Sequence, residues 1–218
     1  MNDDVWTAVD QYFESALTPA DPALSAALKA SEAGGLPAIQ VSATQGKQLH
    51  LLARSIRARR ILEIGTLGGY STIWLARALP QDGELITLEV DPHHAEVARG
   101  NIGNAGVADR VEVRVGAALE TLPDLAGPFD LIFIDADKPN NARYFTHALR
   151  LSRPGAMIVV DNVVRNGAVV DAANGDAAVQ GSRRLVEVVA AEPRVSATAI
   201  QTVGTKGYDG YLLAVVGD

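Results

Sequence analysis

The fold is decided by residues 60–71, which read RILEIGTLGGYS. Their first five residues form a mostly apolar run, which is typical of a strand that is covered on both faces. Gly65, Gly68 and Gly69 follow, and glycine allows both a sharp turn and the close approach of a ligand to the backbone. Their spacing matches neither G-x-G-x-x-G nor G-x-x-x-x-G-K-[ST], so it argues against a dinucleotide or nucleoside triphosphate site. The stretch therefore predicts a strand, a tight turn and a helix that begins near Ser71.

The same order of strand, turn and helix recurs along the rest of the chain. Short runs rich in Ile, Val and Leu predict strands at 60–64, 85–90, 111–115, 131–134 and 157–160. Helical segments are predicted at 71–79, 92–101, 117–125, 140–151 and 177–192. Two late strands, 195–202 and 211–216, are joined by residues 204–210, a connection too short for a crossover helix and therefore typical of an antiparallel hairpin. The pattern predicts a doubly wound α/β sheet with this hairpin at its end.

The first 58 residues are predicted to be helical. One helix covers 5–17, a second begins at an Asp-Pro pair at 21–22, and a third begins at Ser42. Residues 42–45, SATQ, have the spacing of a capping box. In this motif the serine side chain bonds to the backbone N–H group of the fourth residue, and the side chain of the fourth residue bonds to the backbone N–H group of the serine. Because the chain has 218 residues and no internal repeat or linker, we expect one domain over 1–218. Within it, 1–58 would form a helical cap and 59–218 the core.

Composition and charge exclude several classes of protein. The chain has no cysteine, which excludes disulfides, thiolate zinc sites and cysteine nucleophiles. Its apolar runs all fall short of the ~18 residues that cross a bilayer. A net charge of −7 argues against broad binding of nucleic acid or anionic membranes. Residues 1–4 are acidic and unlike a signal or transit peptide, so a cytoplasmic location is expected.

A carboxylate at the end of the second strand points to a nucleoside cofactor. In open α/β sheets, ligands bind beyond the carboxyl ends of the strands. Glu89 ends the second strand, 24 residues after Gly65, and a carboxylate there can accept hydrogen bonds from both hydroxyl groups of a ribose. The alternative is a plain strand-to-helix turn with no ligand. Together with Glu63, which precedes the glycine turn, Glu89 favours an adenosine cofactor.

Side chains that bear oxygen end the fourth and fifth strands. Asp135, Asp137 and Lys138 follow the fourth, and Asp161 and Asn162 follow the fifth. Neighbouring strands lie ~4.8 Å apart, so these side chains can converge on one ion, and their hard oxygen atoms suit Mg²⁺, Ca²⁺ or Mn²⁺. The alternative is that the acids only cap the helices that follow. An amine such as Lys138 beside such an ion could take a proton from a hydroxyl group or stabilise the resulting oxyanion.

These motifs together resemble a known enzyme family. The pattern consists of Glu63-x-Gly65-x-x-x-Gly69-x-Ser71, then Glu89, then DADK at 135–138 and DN at 161–162. It is similar to the metal-dependent class I O-methyltransferases of the caffeoyl-CoA and catechol type, which use S-adenosylmethionine (SAM). The resemblance covers residues 38–216. It implies a seven-stranded Rossmann-like methyltransferase sheet of order 3-2-1-4-5-7-6 with the last strand antiparallel, and it implies a homodimer.

The resemblance assigns roles to particular residues. SAM, or its product S-adenosylhomocysteine (SAH), would contact Val41, Glu63, Gly65, Thr66, Gly69, Tyr70, Ser71, Glu89, Ala118, Asp135 and Asp137. The divalent cation, Mg²⁺ ahead of Ca²⁺ or Mn²⁺, would be held by Asp135, Asp161 and Asn162. Lys138 and Asp135 would be catalytic.

Other segments are predicted to shape the site without carrying its chemistry. Residues 163–181, which contain three glycines, are predicted to form a mobile loop over the site and, with the N-terminal helices, to select the acceptor. Residues 208–210 are predicted to lie near the substrate. The four histidines are predicted to be surface or packing residues, and Trp6 and Trp74 to belong to the core.

The predicted function is methyl transfer from SAM to a small catechol-like phenol, with no nucleic-acid or membrane partner. A phenol has a pKa of ~10, and a chelating dication lowers that pKa while it holds both oxygens of a vicinal diol. One alternative is a tRNA hydroxyuridine O-methyltransferase of the same family, which the net charge disfavours although arginines at 57, 59 and 60 form a basic cluster. A nicotinamide-dependent oxidoreductase is disfavoured by the glycine spacing. A non-enzymatic binding module would not explain the acids beside the cofactor turn.

Overall fold

A computed structural model describes residues 3–217, in which a single mixed sheet of seven strands carries helices on both faces. The strands are β1 Arg60–Ile64, β2 Glu84–Glu89, β3 Val111–Val115, β4 Phe129–Ile134, β5 Ser152–Asp161, β6 Val195–Gly204 and β7 Gly207–Val216. The helices are α1 Asp3–Leu17, α2 Pro22–Ala33, α3 Ala43–Ser55, α4 Tyr70–Ala76, α5 Pro92–Asn104, α6 Ala118–Thr121, α7 Asn141–Leu151 and α8 Ala177–Ala190. The prediction about residues 1–4 falls partly on Met1 and Asn2, which lie outside the described residues.

The strand order is β3-β2-β1-β4-β5-β7-β6, which confirms the order that the resemblance implied. Strands β1 to β5 are parallel, whereas β7 runs antiparallel to both β5 and β6. The hairpin is tighter than predicted. Gly204 already pairs with Gly207, so only Thr205 and Lys206 form the turn, and most of the predicted connection at 204–210 is strand.

Alternation of side chains along the central strands builds two apolar layers. On β1, Leu62 and Ile64 pack into the layer that α7 and α8 cover. Ile61 points into the opposite layer, to which Phe133 of β4 also belongs. Helices α2 to α5 cover this layer. Successive residues of a strand face opposite sides of a sheet, so a run that is buried on both faces is apolar at most positions, with Glu63 as the exception among the buried residues of β1. This requirement explains why the short apolar runs identified the strands correctly.

The second and third helices begin where the sequence predicts, whereas α1 begins at Asp3, two residues before its predicted start. Asp21 caps α2 by accepting hydrogen bonds from the backbone N–H groups of Ala23 and Leu24, at 2.9 and 3.0 Å. Ser42 Oγ accepts from the Gln45 N–H at 3.2 Å and caps α3. Such caps satisfy donors that lack partners within the helix. None of the helices formed by residues 3–217 is long and apolar enough to span a membrane.

Several predicted boundaries are wrong for local reasons. The predicted helix 117–125 is a single turn, α6, followed by a 3₁₀ turn at Leu122–Asp124, because Pro123 has no N–H to continue an α-helix. The helix predicted at 71–79 is α4, which begins at Tyr70 and ends at Ala76. The predicted loop 163–181 contains a 3₁₀ turn at Ala168–Val170 and the first residues of α8.

Gly181, predicted to belong to that loop, lies instead inside α8. A Cβ atom at this position would lie 2.2 Å from the backbone oxygen of Lys138, so the missing side chain lets α8 pack against the turn that carries Lys138. Its role is close packing rather than flexibility. Trp74 is buried as predicted, whereas Trp6 is only half-buried.

Candidate active site

A cavity of about 880 Å³ opens at the carboxyl edge of the sheet, between the segments that follow β1 to β5. Its volume falls within the range of small-molecule sites. Most of the predicted site residues line it, namely Val41, Gly65, Thr66, Tyr70, Ser71, Glu89, Ala118, Asp135, Asp137, Lys138 and Asn162. Glu63, Gly69 and Asp161 do not line it. The carboxyl ends of parallel strands meet at one edge, and this topology brings together residues that are far apart in the chain.

The turn after β1 depends on a glycine at position 65. Gly65 has a φ of +101°, and a Cβ atom there would lie 2.2 Å from the backbone oxygen of Asp135. Glycine alone avoids both the unfavourable conformation and the collision. The turn can therefore pack directly against the end of β4, where the N–H group of Asp135 donates to the carbonyl of Ile64 at 2.8 Å.

Glu63 lies behind this turn and not on the cavity wall, contrary to its predicted contact with a cofactor. Its carboxylate is fully buried and accepts hydrogen bonds from the hydroxyl groups of Ser71 and Thr87, both at 2.7 Å, and from Thr72. Burial raises the pKa of Glu63 to about 7, although these donors favour the charged form. The structure thus shows Glu63 fastening β1 to β2 and to the first turn of α4, which orients the residues that do line the cavity.

Glu89 combines a place on the cavity wall with contacts to the turn. One carboxylate oxygen, Oε2, accepts from the N–H groups of Thr66 and Leu67 at 3.2 and 2.8 Å, and the other accepts from the N–H group of Asp91 at 3.0 Å. A carboxylate has about four acceptor positions, two on each oxygen, so Oε2 is saturated and one position remains on Oε1. The side chain is therefore held in one orientation with acceptor capacity left for one hydroxyl group.

Two further cavity residues were not singled out from the sequence. His94, expected at the surface or in packing, lines the cavity with Nδ1 3.7 Å from Glu89 Oε1. Tyr144 donates its hydroxyl hydrogen to Asp137. Burial of Tyr144, and to a smaller extent this hydrogen bond, raise the pKa of its hydroxyl group. Both residues lie early in a helix that follows a strand. This position, next to the carboxyl edge of the sheet, is the sequence signal that could have identified them.

The acidic cluster forms where β4 and β5 end. Lys138 Nζ donates to Asp135 Oδ1 at 2.7 Å, and Asp161 Oδ1 accepts from the N–H group of Asn162 at 2.8 Å. Asp161 is only 4% exposed. Its burial, and to a smaller extent its repulsion by Asp135, raise the pKa of Asp161 to about 7. Two neighbouring carboxylates that repel each other, one of them buried, favour the binding of a divalent cation, which neutralises their charge.

The donors present fit a hard cation such as Mg²⁺. Two carboxylates and one amide oxygen are available, and within residues 3–217 no three His, Cys, Asp or Glu side chains form a larger metal-binding group. Mg²⁺ is commonly held by one or two carboxylates, with its other positions taken by water or substrate. Asn162 has a φ of +56°, a conformation that asparagine tolerates better than most residues. Asp135, Asp161 and Asn162 would hold such an ion.

Gln45 is a site residue that the sequence placed in a different role. The capping box predicts that its side chain returns to the backbone of Ser42. The structure instead shows Gln45 Nε2 donating to Asp161 Oδ2 at 2.6 Å, across 116 positions of the chain. Only the Ser42 half of the capping box is therefore formed. An uncharged donor orients Asp161 without neutralising the negative charge that a cation needs.

Replacing Gln45 is expected to weaken metal binding. Gln45→Met keeps the length of the side chain and removes the donor, and the loss of a group that orients a metal ligand typically weakens metal affinity about 10–100-fold. Titration of the purified protein with Mn²⁺, followed by electron paramagnetic resonance, measures this. Gln48→Met is the matched control, because Gln48 lies in the same helix and donates to Tyr211 rather than to a carboxylate. Equal Mn²⁺ affinity in Gln45→Met and the unaltered protein would contradict the prediction.

Comparison with known proteins identifies the family. The profile of the O-methyltransferase family matches residues 18–214. A catechol O-methyltransferase of Mycobacterium tuberculosis (strain ATCC 25618 / H37Rv) is 60% identical over 209 residues, covering 95% of this chain and 94% of that protein.

Solved structures agree with this assignment. The O-methyltransferase TomG from Streptomyces achromogenes, in complex with SAM, superposes with a TM-score of 0.97 at 56% identity and full coverage of both chains. The O-methyltransferase from Bacillus cereus, in complex with SAH, gives 0.96 at 58% identity and covers 98% of this chain and 99% of its own. These matches decide against a nicotinamide-dependent oxidoreductase and against a module without enzymatic activity. The chain belongs to the O-methyltransferase family and is a methyltransferase, as the resemblance of its motifs predicted.

Proposed function

We propose that the protein transfers a methyl group from SAM to one hydroxyl group of a small catechol-like phenol, with the help of a divalent cation. The observation that carries the proposal is one cavity in which Gly65 and Glu89 lie together with Asp135, Lys138 and Asn162. A cofactor end and an acidic end thus share one enclosed space. A related protein named catechol O-methyltransferase and related structures that hold SAM or SAH support it.

The cofactor end of the cavity suits SAM. SAM supplies an electrophilic methyl group on a sulfonium sulfur. Glu89 would accept a hydrogen bond from the ribose, the turn at Gly65 would admit the cofactor close to the backbone, and Ala118 would border the adenine. Asp137, which Tyr144 and Asn140 hold by hydrogen bonds, would face the cofactor. Holding SAM in one orientation removes much of the entropic barrier to the in-line displacement of its methyl group.

The acidic end of the cavity suits the acceptor. A bound Mg²⁺, or Mn²⁺ or Ca²⁺ in its place, would supply positive charge that favours the ionised form of a phenol. Asp135, Asp161 and Asn162 would hold the ion, and Gln45 would orient Asp161. Lys138, only 11% exposed and 2.7 Å from Asp135, would accept the proton of the reacting hydroxyl group or stabilise the oxyanion that forms.

A methyl-acceptor assay tests the proposed function. Purified protein with SAM and Mg²⁺ is offered catechol, a matched monophenol, a dihydroxycinnamoyl thioester and undermodified tRNA, and the methylated product is identified by mass spectrometry. We expect methylation of the catechols, with a higher kcat/KM than for the monophenol because two oxygens fix the orientation of the ring. Equal kcat/KM for catechol and monophenol would contradict the chelating role of the cation. Methylation of tRNA alone would favour the tRNA-modifying alternative.

Replacing Glu89 is expected to weaken cofactor binding. Glu89→Ala removes charged acceptors, which costs about 1–3 kcal/mol of binding free energy. Isothermal titration with SAH measures the change. Glu96→Ala is the control, because Glu96 is an exposed acid of α5, the helix that follows β2, and does not line the cavity. Unchanged SAH affinity in Glu89→Ala would contradict the assignment.

We also propose a homodimer that buries the outer face of α1. Val5, Val9, Tyr12, Phe13 and Leu17 form an exposed apolar stripe at helical spacing, with Tyr12 69% and Leu17 65% exposed. The inner face instead carries polar residues such as Asp10, which accepts from the N–H group of Thr205. A helix with its apolar stripe outward is typical of one that a partner covers, and a second copy supplies the same uncharged stripe.

Sedimentation velocity tests the dimer. The unaltered protein is expected to sediment as a dimer, and Leu17→Glu is expected to shift it to the monomer because a charge would be buried in the interface. Val186→Glu is the control, since Val186 is an exposed apolar residue of α8, in the layer opposite to α1. A monomeric unaltered protein at micromolar concentration would contradict the proposal.

A further inference from the structure

Arg165 lies on the cavity wall at the end opposite to Glu89. It follows Asn162 by three residues and lines the same cavity. Between β2, which ends at Glu89, and β5, which precedes Arg165, the sheet has the order β2-β1-β4-β5. Three strand spacings correspond to about 14 Å. Arg165 therefore belongs to the half of the cavity that the acceptor would occupy.

The backbone around Arg165 is held in place by the terminal hairpin. Arg165 has a φ of +56°, and its N–H group and that of Val164 both donate to Asp209 Oδ1 at 3.0 Å. The N–H group of Val163 donates to the carbonyl of Gly210, also at 3.0 Å. Residues 208–210, predicted to lie near the substrate, thus act on the cavity through this segment, and they do not line it.

The guanidinium group of Arg165 has unused hydrogen-bonding capacity. Its Nε atom is buried, and residues 3–217 provide no acceptor for it. Its recorded carboxylate contact, from Nη1 to Asp209 Oδ2, measures 3.9 Å, which is too long for a hydrogen bond. The other cavity cation, Lys138, is in contrast paired with Asp135 at 2.7 Å. The side chain of Arg165 as a whole is 32% exposed, so its other N–H groups can meet an acceptor in the cavity.

We propose that Arg165 is a specificity-determining residue that binds an anionic substituent of the acceptor. The inference rests on the proposed function and narrows it, since the acceptor becomes a catechol that carries a carboxylate on its ring or on a short side chain. A guanidinium presents a planar fork of N–H donors that matches the two oxygens of a carboxylate. The substituent would meet Arg165 while the vicinal diol lies at the acidic end, and these two anchors together set the orientation of the ring.

The experiment compares two acceptors of the same shape and different charge. The enzyme with SAM and Mg²⁺ is assayed with 3,4-dihydroxybenzoate and with 3,4-dihydroxybenzamide, and the ratio of their kcat/KM values is the readout. The unaltered enzyme is expected to prefer the benzoate about 10–100-fold, the range for a charge-assisted hydrogen-bonded pair. In Arg165→Gln the ratio is expected to fall by the same factor, and in Arg165→Lys it should fall part of the way, because the charge remains but the fork is lost.

Comparing the ratio between variants removes the intrinsic difference in reactivity between the two phenols. Arg184→Gln is the control for overall charge, because Arg184 is an exposed residue of α8 whose side chain is 68% accessible, and its ratio should equal that of the unaltered enzyme. A preference for the benzoate that persists in Arg165→Gln, or no preference in the unaltered enzyme, would overturn the inference alone. Failure to methylate either compound, or catechol itself, would overturn the proposed function and the inference with it.

Discussion

Removal of divalent cations is expected to abolish methyl transfer to catechol, and added Mg²⁺ or Mn²⁺ is expected to restore it. Asp135 and Asp161 place two carboxylates close together. Burial of Asp161, and to a smaller extent its repulsion by Asp135, raise the pKa of Asp161. Without the cation, a catechol loses the charge that favours its ionised form and one of the anchors that orient it. Initial rates after treatment with EDTA and gel filtration, followed by titration with each metal, measure the effect.

Two controls separate the metal from other effects of the chelator. EDTA that is already saturated with Mg²⁺ should leave the rate unchanged, which excludes inhibition by the chelator itself. Asp161→Asn removes one of the two charges, so its residual rate should require a much higher Mg²⁺ concentration. Full activity of the metal-free enzyme would show that Asp135, Asp161 and Asn162 do not hold a cation that the reaction needs.

Lys138→Ala is expected to lower kcat by about 10²–10⁴, the range for loss of acid–base assistance. Lys138 lines the cavity beside Asp135 and is largely shielded from solvent, and alanine has no group that can accept a proton or carry a charge. Affinity for SAH should stay nearly constant, because Lys138 is not one of the residues that would bind the cofactor. Single-turnover kinetics with catechol and calorimetry with SAH measure the two quantities separately. A kcat within a few-fold of the unaltered enzyme would contradict a catalytic role.

Lys138→Arg distinguishes the two roles that remain open for this residue. An arginine stays protonated in proteins and cannot accept the proton of a hydroxyl group, whereas it can stabilise an oxyanion. An activity close to that of Lys138→Ala would therefore identify Lys138 as the proton acceptor, and substantial recovery would identify it as an electrostatic stabiliser. Lys29→Ala, at an exposed position of α2, controls for the loss of a positive charge.

The strands, the hairpin and the edge at which the cavity lies were predictable from local patterns, whereas the order of the strands came from the resemblance to the family. A buried parallel strand must be apolar on both faces, and a turn such as that at Gly65 requires glycine where a side chain would meet Asp135. Glu89 and Asn162 could be proposed as site residues because strand ends of a doubly wound sheet share one edge. Helix boundaries were less predictable, since α6 stops after one turn where Pro123 lies and α4 ends at Ala76 rather than at residue 79.

The sequence by itself determined the doubly wound sheet, the antiparallel hairpin and a set of site residues most of which line the cavity. Only the tertiary structure decided which polar groups share a partner. It turned Gln45 from its own helix cap towards Asp161, enclosed Glu63 behind the turn, and left Arg165 Nε without an acceptor on the cavity wall. The physical reason is that periodicity and turn chemistry depend on neighbours in the chain. Burial and hydrogen-bond partners depend instead on segments that meet only after the sheet has assembled.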